Sequence, residues 1–317
     1  MKVTEHLKRA TKTLFSIEIL PPLKGRSVKS IYELIDPLME FKPPFIDVTY
    51  HREEYIYKKR DGGYLEKIAI RKRPGTVGIC SAIINRYQTD AVPHIICGGF
   101  TREETENALI ELNYLGIDNV LLLRGDPIKT ETNFTPEECG NIYALDLVKQ
   151  VSSMNKGRFL DDDLKDVDPA NFCIGVAGYP EKHFEAPSMS TDLRYLKMKI
   201  EAGAEYIVTQ MFFDNSKFFD FVDKCRDASI DVPIIPGLKP LTTKKQMTAL
   251  PKTFHIDIPD DLVKAIELCK TDQDVKEVGI EWCVQQSKEL MQRKIPCLHY
   301  YTMGNADIIK KIASQVF

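Results

Sequence analysis

The chain has 317 residues, 43% of them hydrophobic, with 43 Lys and Arg against 46 Asp and Glu. A formal net charge of -3 gives no general pull toward nucleic acid or an anionic membrane surface. No run of about 20 apolar residues would span a bilayer, and Met1–His6 lacks the apolar core of a signal peptide, so the expectation is a cytoplasmic protein.

Residues 1–13 read as a short helical lead-in. Leu14–Leu20 is the first strand, apolar and β-branched, stopped by Pro21 and Pro22, which cannot continue a ladder. Alternation puts Ser16, Glu18 and Leu20 on one face and Phe15, Ile17 and Ile19 on the other. The carboxylate has two readings here: a rim acid paired with a Lys or Arg, or a general acid whose pKa an apolar pocket raises. A helical pattern follows over Val28–Met39, ended by Lys42-Pro43-Pro44. The second strand is Phe45–Tyr50. The polar, tyrosine-bearing stretch His51–Gly63 is expected to be a loop, either a lid or a solvated excursion. Helical material resumes through Ile68 and again over Val77–Tyr87.

Pro93–Cys97 is the third strand. His94 and Cys97, three apart on a strand, point to opposite faces, so no metal pair is expected. The eight cysteines form no Cys-x-x-Cys pair and are expected to be reduced. Thr101-Arg102-Glu103-Glu104 is a capping box that opens a helix running to Leu115 and stopped by Gly116. The fourth strand, Asn119–Arg124, is nearly all Leu and Val, as strands buried on both faces of a parallel sheet are. A loop covers residues 128–141 and a helix Ile142–Met154. The acidic run Leu160–Asp168 reads as a solvated face. Then come a fifth strand over Phe172–Ala177, a helix over Met189–Ala202, and a sixth strand over Tyr206–Phe213. A helix with Phe218, Phe221 and Val222 inward precedes the seventh strand, Val232–Leu238. Two or three helices fill residues 243–294; the eighth strand is Cys297–Thr302, and a helix over Ala306–Val316 closes the chain.

Eight strands alternating with helices predict an α/β protein, a single-domain (β/α)8 TIM barrel over residues 1–317. No Gly-x-Gly-x-x-Gly turn or Walker-type loop favours an open dinucleotide- or nucleotide-binding sheet. The site of such a barrel lies at the C-terminal ends of its strands. That rim holds Glu18, Thr49 and Tyr50, His94, Arg124 and Asp126, Tyr179 and His183, Gln210, and Tyr301. The set suits a flat heteroaromatic ligand with hydrogen-bonding edges. A Schiff-base aldolase would want a lysine where the sixth strand carries Gln210. A glycosidase needs two rim carboxylates, which Glu18 and Asp126 leave open.

The stretches Phe15–Pro22, Asp47-Val48-Thr49-Tyr50, Leu123-Arg124-Gly125-Asp126, Ala177–His183, Thr209–Asp214 and Ile234-Ile235-Pro236-Gly237 occur in order along the chain. In sequence and spacing they resemble the methylenetetrahydrofolate reductase family, from about residue 14 to the end. That resemblance implies an FAD-dependent barrel reducing 5,10-methylenetetrahydrofolate to 5-methyltetrahydrofolate for methionine synthesis. The expected reaction is ping-pong, with NAD(P)H as electron donor. Glu18 matches the family's general acid, and Asp126 the aspartate beside flavin and pterin. Gln210 matches the pterin-binding glutamine, and Tyr301 falls at the substrate. Thr49, Tyr50, His94, Leu123, Arg124, Gly125 and Asp126 match flavin contacts. So do Tyr143, Ala144, Ala177, Tyr179, His183, Ala186, Asp192 and Lys199, with Arg124, His183 and Lys199 expected near the FAD phosphates. The resemblance further implies folate and nicotinamide as ligands and a homo-oligomer.

The chain departs from the bacterial pattern at Lys244, where a substrate-stacking phenylalanine is common, and at Asn305, where an arginine often meets the folate tail. It is expected to be the catalytic barrel alone, without the regulatory domain of larger relatives. The alternative, of a different class, is a barrel that binds folate or flavin without turnover.

Overall fold

In the computed structural model, which describes residues 1–128 and 131–317, the first half of the chain forms α1 (Val3–Arg9), β1 (Leu14–Ile19), α2 (Lys29–Ile35), β2 (Phe45–Val48), β3 (Glu54–Lys59), β4 (Leu65–Ile70), α3 (Thr76–Tyr87), β5 (Asp90–Ile96), α4 (Arg102–Tyr114), β6 (Asn119–Leu123) and α5 (Ala144–Met154). The second half forms β7 (Cys173–Gly178), α6 (Met189–Glu201), β8 (Tyr206–Thr209), α7 (Asn215–Asp227), β9 (Ile234–Ile235), β10 (Gly237–Leu238), α8 (Gln246–Phe254), α9 (Asp260–Leu268), α10 (Asp272–Gln292), β11 (Cys297–Tyr301) and α11 (Ala306–Val316).

Nine of these strands make one parallel sheet in the order β10-β11-β1-β2-β5-β6-β7-β8-β9. Its two ends, β9 and β10, are consecutive in the chain, so the sheet closes into the expected barrel. Pro236 separates them because it has no N–H for a ladder. Ile234 and Ile235 pair with β8, whereas Gly237 and Leu238 pair with β11. The seventh strand is therefore two short pieces rather than one run over Val232–Leu238.

Alternation sorts the side chains as the sequence predicts. Phe15, Ile17, Ile19, Ile46 and Val48 pack outward against the helices. Phe45, Val92, Leu121, Cys173, Tyr206, Val208, Ile235 and Cys297 fill the barrel together with Val3 and Leu7 of α1. The lead-in helix thus plugs the N-terminal end. It is tied there by Val3 N–H to Asn119 Oδ1 at 2.8 Å and by an ion pair of the N-terminal amine with Asp90 at 2.8 Å.

Three expectations are corrected. Where a loop over His51–Gly63 and helical material through Ile68 were expected, residues Glu54–Ile70 form an antiparallel hairpin, β3 paired with β4 from Glu54↔Ile70 to Lys59↔Leu65. Its turn runs through Gly62 and Gly63, both at positive φ, which glycine adopts without a Cβ penalty. The helix over Val28–Met39 ends at Ile35 and tightens into a 3-10 turn over Asp36–Phe41, because Pro37 cannot donate to a continuing α-helix. The sixth strand stops at Thr209. Met211 and Phe213 leave the sheet to pack with Leu241, Leu250 and Leu262 in a separate cluster under α8 and α9. The loop expected over 128–141 includes residues 129 and 130, which lie outside the described residues.

Candidate active site at the barrel mouth

Barrel interiors are ordinarily layers of branched apolar side chains. Here that holds only for the lower half. Above it, Ser16 and Glu18 of β1, Asp47 of β2, His94 of β5, and His299 and Tyr301 of β11 put polar groups at inward positions. Burying such groups costs free energy unless they are partnered, so this half of the barrel departs from the apolar filling below it.

Glu18 is next to last in β1, opposite Tyr301 on one side and Asp47 on the other. Its side chain is 15% exposed, and Oε2 lies 3.7 Å from His94 Nε2. Burial raises the carboxyl from 4.5 to about 7; the His94 charge pulls it down and the Asp47 charge pushes it up. Of the two readings of this acid, the structural ion pair with a Lys or Arg is not the one found. The partner is an imidazole, at a distance too long for a hydrogen bond.

His94 stands inside the barrel, 5% exposed, rather than on its rim. Its Nε2 also faces Asp47 Oδ2 at 3.4 Å. Burial lowers this imidazole, but the hydrogen bond it donates to Asp47 and the charges of Glu18 and Asp47 outweigh that and hold it above its ordinary value. Cys97, by contrast, packs in the outer cluster, on the opposite face as alternation requires. Below, Ser16 Oγ and His299 Nδ1 lie 2.9 Å apart. Tyr301 donates its hydroxyl to the Thr209 carbonyl at 2.6 Å, linking β11 to β8 across the closure. Its ring lines the mouth while its phenol is committed to the scaffold.

Around the rim, Gly125 at φ +86° lets the chain turn sharply after β6, where a Cβ would press on the Ile96 side chain at 3.2 Å. Asp126 is exposed beyond it, and its charge acts on His51, Arg124 and Tyr179. Arg124 is held by Glu185 through two hydrogen bonds of 2.6 and 2.9 Å and lies over the Phe134 ring at 5.0 Å. Thr49 Oγ1 sits 3.3 Å from His51 Nε2, and Tyr50 accepts from Arg71 at 3.0 Å. The Gln210 carboxamide oxygen turns back onto the Met211 N–H at 2.9 Å, and its NH2 end has no hydrogen-bond partner among the described residues.

Between β7, α6 and α7 a small cavity is lined by Ala177, Tyr179, Asp192, Lys199 and Phe221. Lys199 donates to the Ala177 carbonyl at 3.2 Å, and burial lowers it to about 8 against the favourable pull of Asp192. It has no ion-pair partner among the described residues, and the attraction of Asp192 acts only at longer range. Asp192 accepts the His183 N–H at 2.8 Å. Burial lowers the His183 imidazole, so near neutral pH it is a neutral ring. Tyr143 is 60% exposed at the N-cap of α5, next to Ala144. Ala186, buried, gives its carbonyl to Lys182 at 2.6 Å.

Of the two departures, Lys244 donates to the Glu267 carbonyl at 3.0 Å. Asn305 is the N-cap of α11, accepting from Ile308 N–H at 3.3 Å. Asp47 and Glu185 carry no role in the sequence reading. Asp47 had a signal, since it is an acid inside the strand Phe45–Val48 on the same alternation as Glu18. Glu185 had none, because only the fold brings it to Arg124.

A family model described as methylenetetrahydrofolate reductase matches residues 2–316. The chain is 34% identical over 317 residues to "Methylenetetrahydrofolate reductase (NADH) 1" of Arabidopsis thaliana, covering 96% of this chain and 49% of that protein. It is 32% identical to "Methylenetetrahydrofolate reductase 1" of Schizosaccharomyces pombe, covering 100% and 48%. It is 31% identical to the Salmonella typhimurium 5,10-methylenetetrahydrofolate reductase, covering 92% and 87%. The chain spans about half the length of the yeast and plant relatives. Among solved structures, a Clostridium thermocellum protein described as binding two copies of 5-methyl-5,6,7,8-tetrahydrofolic acid shares the fold. Its TM-score is 0.57 at 15% identity, over 98% of this chain and 97% of that one.

Proposed function

The chain belongs to the methylenetetrahydrofolate reductase family, and on that premise we propose that it reduces 5,10-methylenetetrahydrofolate to 5-methyltetrahydrofolate at the C-terminal mouth of the barrel. Glu18 carries the proposal. Acid chemistry near neutral pH needs a carboxyl that keeps its proton there, and burial holds this one to about 7. Glu18 gives that proton to N10 of the folate's five-membered ring. The carboxyl O–H bond breaks, an N–H bond forms, and the C–N10 bond opens to leave an iminium on the one-carbon unit. The charge of Asp126 at the rim favours that cation, and the Gln210 NH2 meets an acceptor on the pterin edge.

FAD, charged by NAD(P)H, would supply the hydride that reduces the iminium carbon. Lys199, half-buried and without an ion-pair partner among the described residues, is the residue here that best suits a cofactor phosphate. The Gly125 turn, with Thr49 and Ala177, would let a flat ring system lie close to the backbone. Arg124 would join a phosphate only by giving up Glu185.

The test is anaerobic. Purified protein is expected to be yellow and to bleach with NADH or NADPH, tried in turn. The colour is then expected to return on adding 5,10-methylenetetrahydrofolate. Protein that takes up no FAD, or reduced protein that methylenetetrahydrofolate does not reoxidise, would refute the assignment.

A further inference from the structure

The geometry points to Asp47 as a positioning residue that acts on Glu18 through His94, keeping the imidazole charged so that it steadies the Glu18 carboxylate left behind when the proton is given away. This rests on the proposed folate reduction, which it deepens by naming what stands behind the acid.

Asp47 is 1% exposed in the middle of β2, with one carboxylate oxygen 3.4 Å from His94 Nε2 and the other without a hydrogen-bond partner among the described residues. An acid buried this fully and satisfied by half is costly for the fold. The same Nε2 faces Glu18 at 3.7 Å, so one ring nitrogen serves two carboxyls. The other titratable groups around Asp47 are Cys80 on α3, Tyr206 on β8, and Cys297, His299 and Tyr301 on β11. Burial keeps each of them uncharged near neutral pH, by raising the thiols and phenols and lowering His299. His51, which faces His94 from the hairpin side, is lowered as well, burial first and the Arg73 and His94 charges after it.

The charge of the cluster is thus decided by Asp47, His94 and Glu18 alone. With Asp47 ionised, His94 protonated and Glu18 neutral, the buried set carries no net charge, the arrangement a low-dielectric interior favours. Once Glu18 has lost its proton, its new carboxylate stands beside the imidazolium. Without Asp47 the imidazole has little reason to stay charged. Glu18 then becomes the weaker acid, because the His94 charge bears on it more than the Asp47 charge does.

The experiment uses Asp47→Asn, with Asp47→Ser as a second variant in case the first folds poorly. Histidine ring nitrogens are followed by NMR across pH, beside the two half-reactions of the FAD-loaded protein. The His94 titration is expected to fall by about one unit or more. Reoxidation by methylenetetrahydrofolate should slow by about tenfold, with its alkaline limb displaced upward. Reduction by the nicotinamide donor should change less than about twofold. A His94 titration that stays in place would overturn the inference, and so would equal loss in both half-reactions together with a lowered melting temperature. If wild-type protein does not reduce methylenetetrahydrofolate at all, the functional proposal fails, while the histidine titration still decides the hold of Asp47 on His94.

Discussion

At Glu18, the burial that raises the carboxyl to about 7 sets two pH dependences. As a proton donor the group works only while protonated, so reoxidation by folate should decline as pH rises through about 7. Glu18→Gln removes the proton and keeps the shape. Folate reduction is expected to fall by about 10²–10⁴-fold, with FAD uptake and flavin reduction retained; undiminished folate turnover would take the acid role from this residue. The stability effect follows from the same shift. The folded pKa lies above the ordinary 4.5, so the contribution of Glu18 to stability is complete below 4.5 and lost as pH climbs through about 7. Glu18→Gln should therefore be more stable than wild type at pH above about 8, by roughly 1–3 kcal/mol, and should lose that advantage in acid. Urea unfolding at the two pH values measures the difference.

Among the elements, α4 and α11 show how a cap is written in sequence. Thr101 accepts the Glu104 N–H at 3.1 Å and Glu104 returns to the Thr101 N–H at 2.8 Å, the reciprocal box that four letters announce. Asn305 does half of this for α11. Asn305→Arg is expected to cost about 1 kcal/mol of stability, read as a lower urea midpoint, because arginine offers no acceptor to the first turn. The β3–β4 hairpin shows the opposite case. The segment that leaves it, Lys72-Arg73, is tied to the site, since Arg73 donates to the Pro21 carbonyl and Lys24 N–H to the Lys72 carbonyl at 2.7 Å. It therefore stands beside the end of the strand that carries Glu18.

For the molecule as a whole, closure depends on the few atoms around Gly237. Its N–H donates to Thr209 Oγ1 at 3.0 Å, and a Cβ on it would collide with the Thr209 carbonyl oxygen and the Tyr301 hydroxyl. The colliding groups are backbone and a committed phenol, so neither can swing aside. Gly237→Ala should destabilise the protein by about 3 kcal/mol or more. Its urea unfolding should also broaden as the barrel opens between β8 and β11. An unchanged midpoint would show that closure does not run through this contact.

The sequence by itself determined the barrel and its polarity. Runs such as Asn119–Leu123, the alternation in β1 and the cap at Thr101 are short-range patterns, and period 2 or 3.6 can be read wherever it occurs. It also determined the family and the place of Glu18 at an inward position near the end of β1. It misled where charge masked alternation, as in Glu54–Lys59, whose Asp61-Gly62-Gly63 turn was the better guide. Only the tertiary structure decided that Pro236 splits a strand, that Glu185 clamps Arg124, and that Asp47 meets Glu18 across His94. Asp47 and His94 are 47 positions apart in the chain and Arg124 and Glu185 are 61, and no local pattern encodes such pairings. They exist because parallel pairing sets strands far apart in the chain side by side, so that the inward faces of β1, β2 and β5 meet within a few ångströms, where buried charge must find its partner.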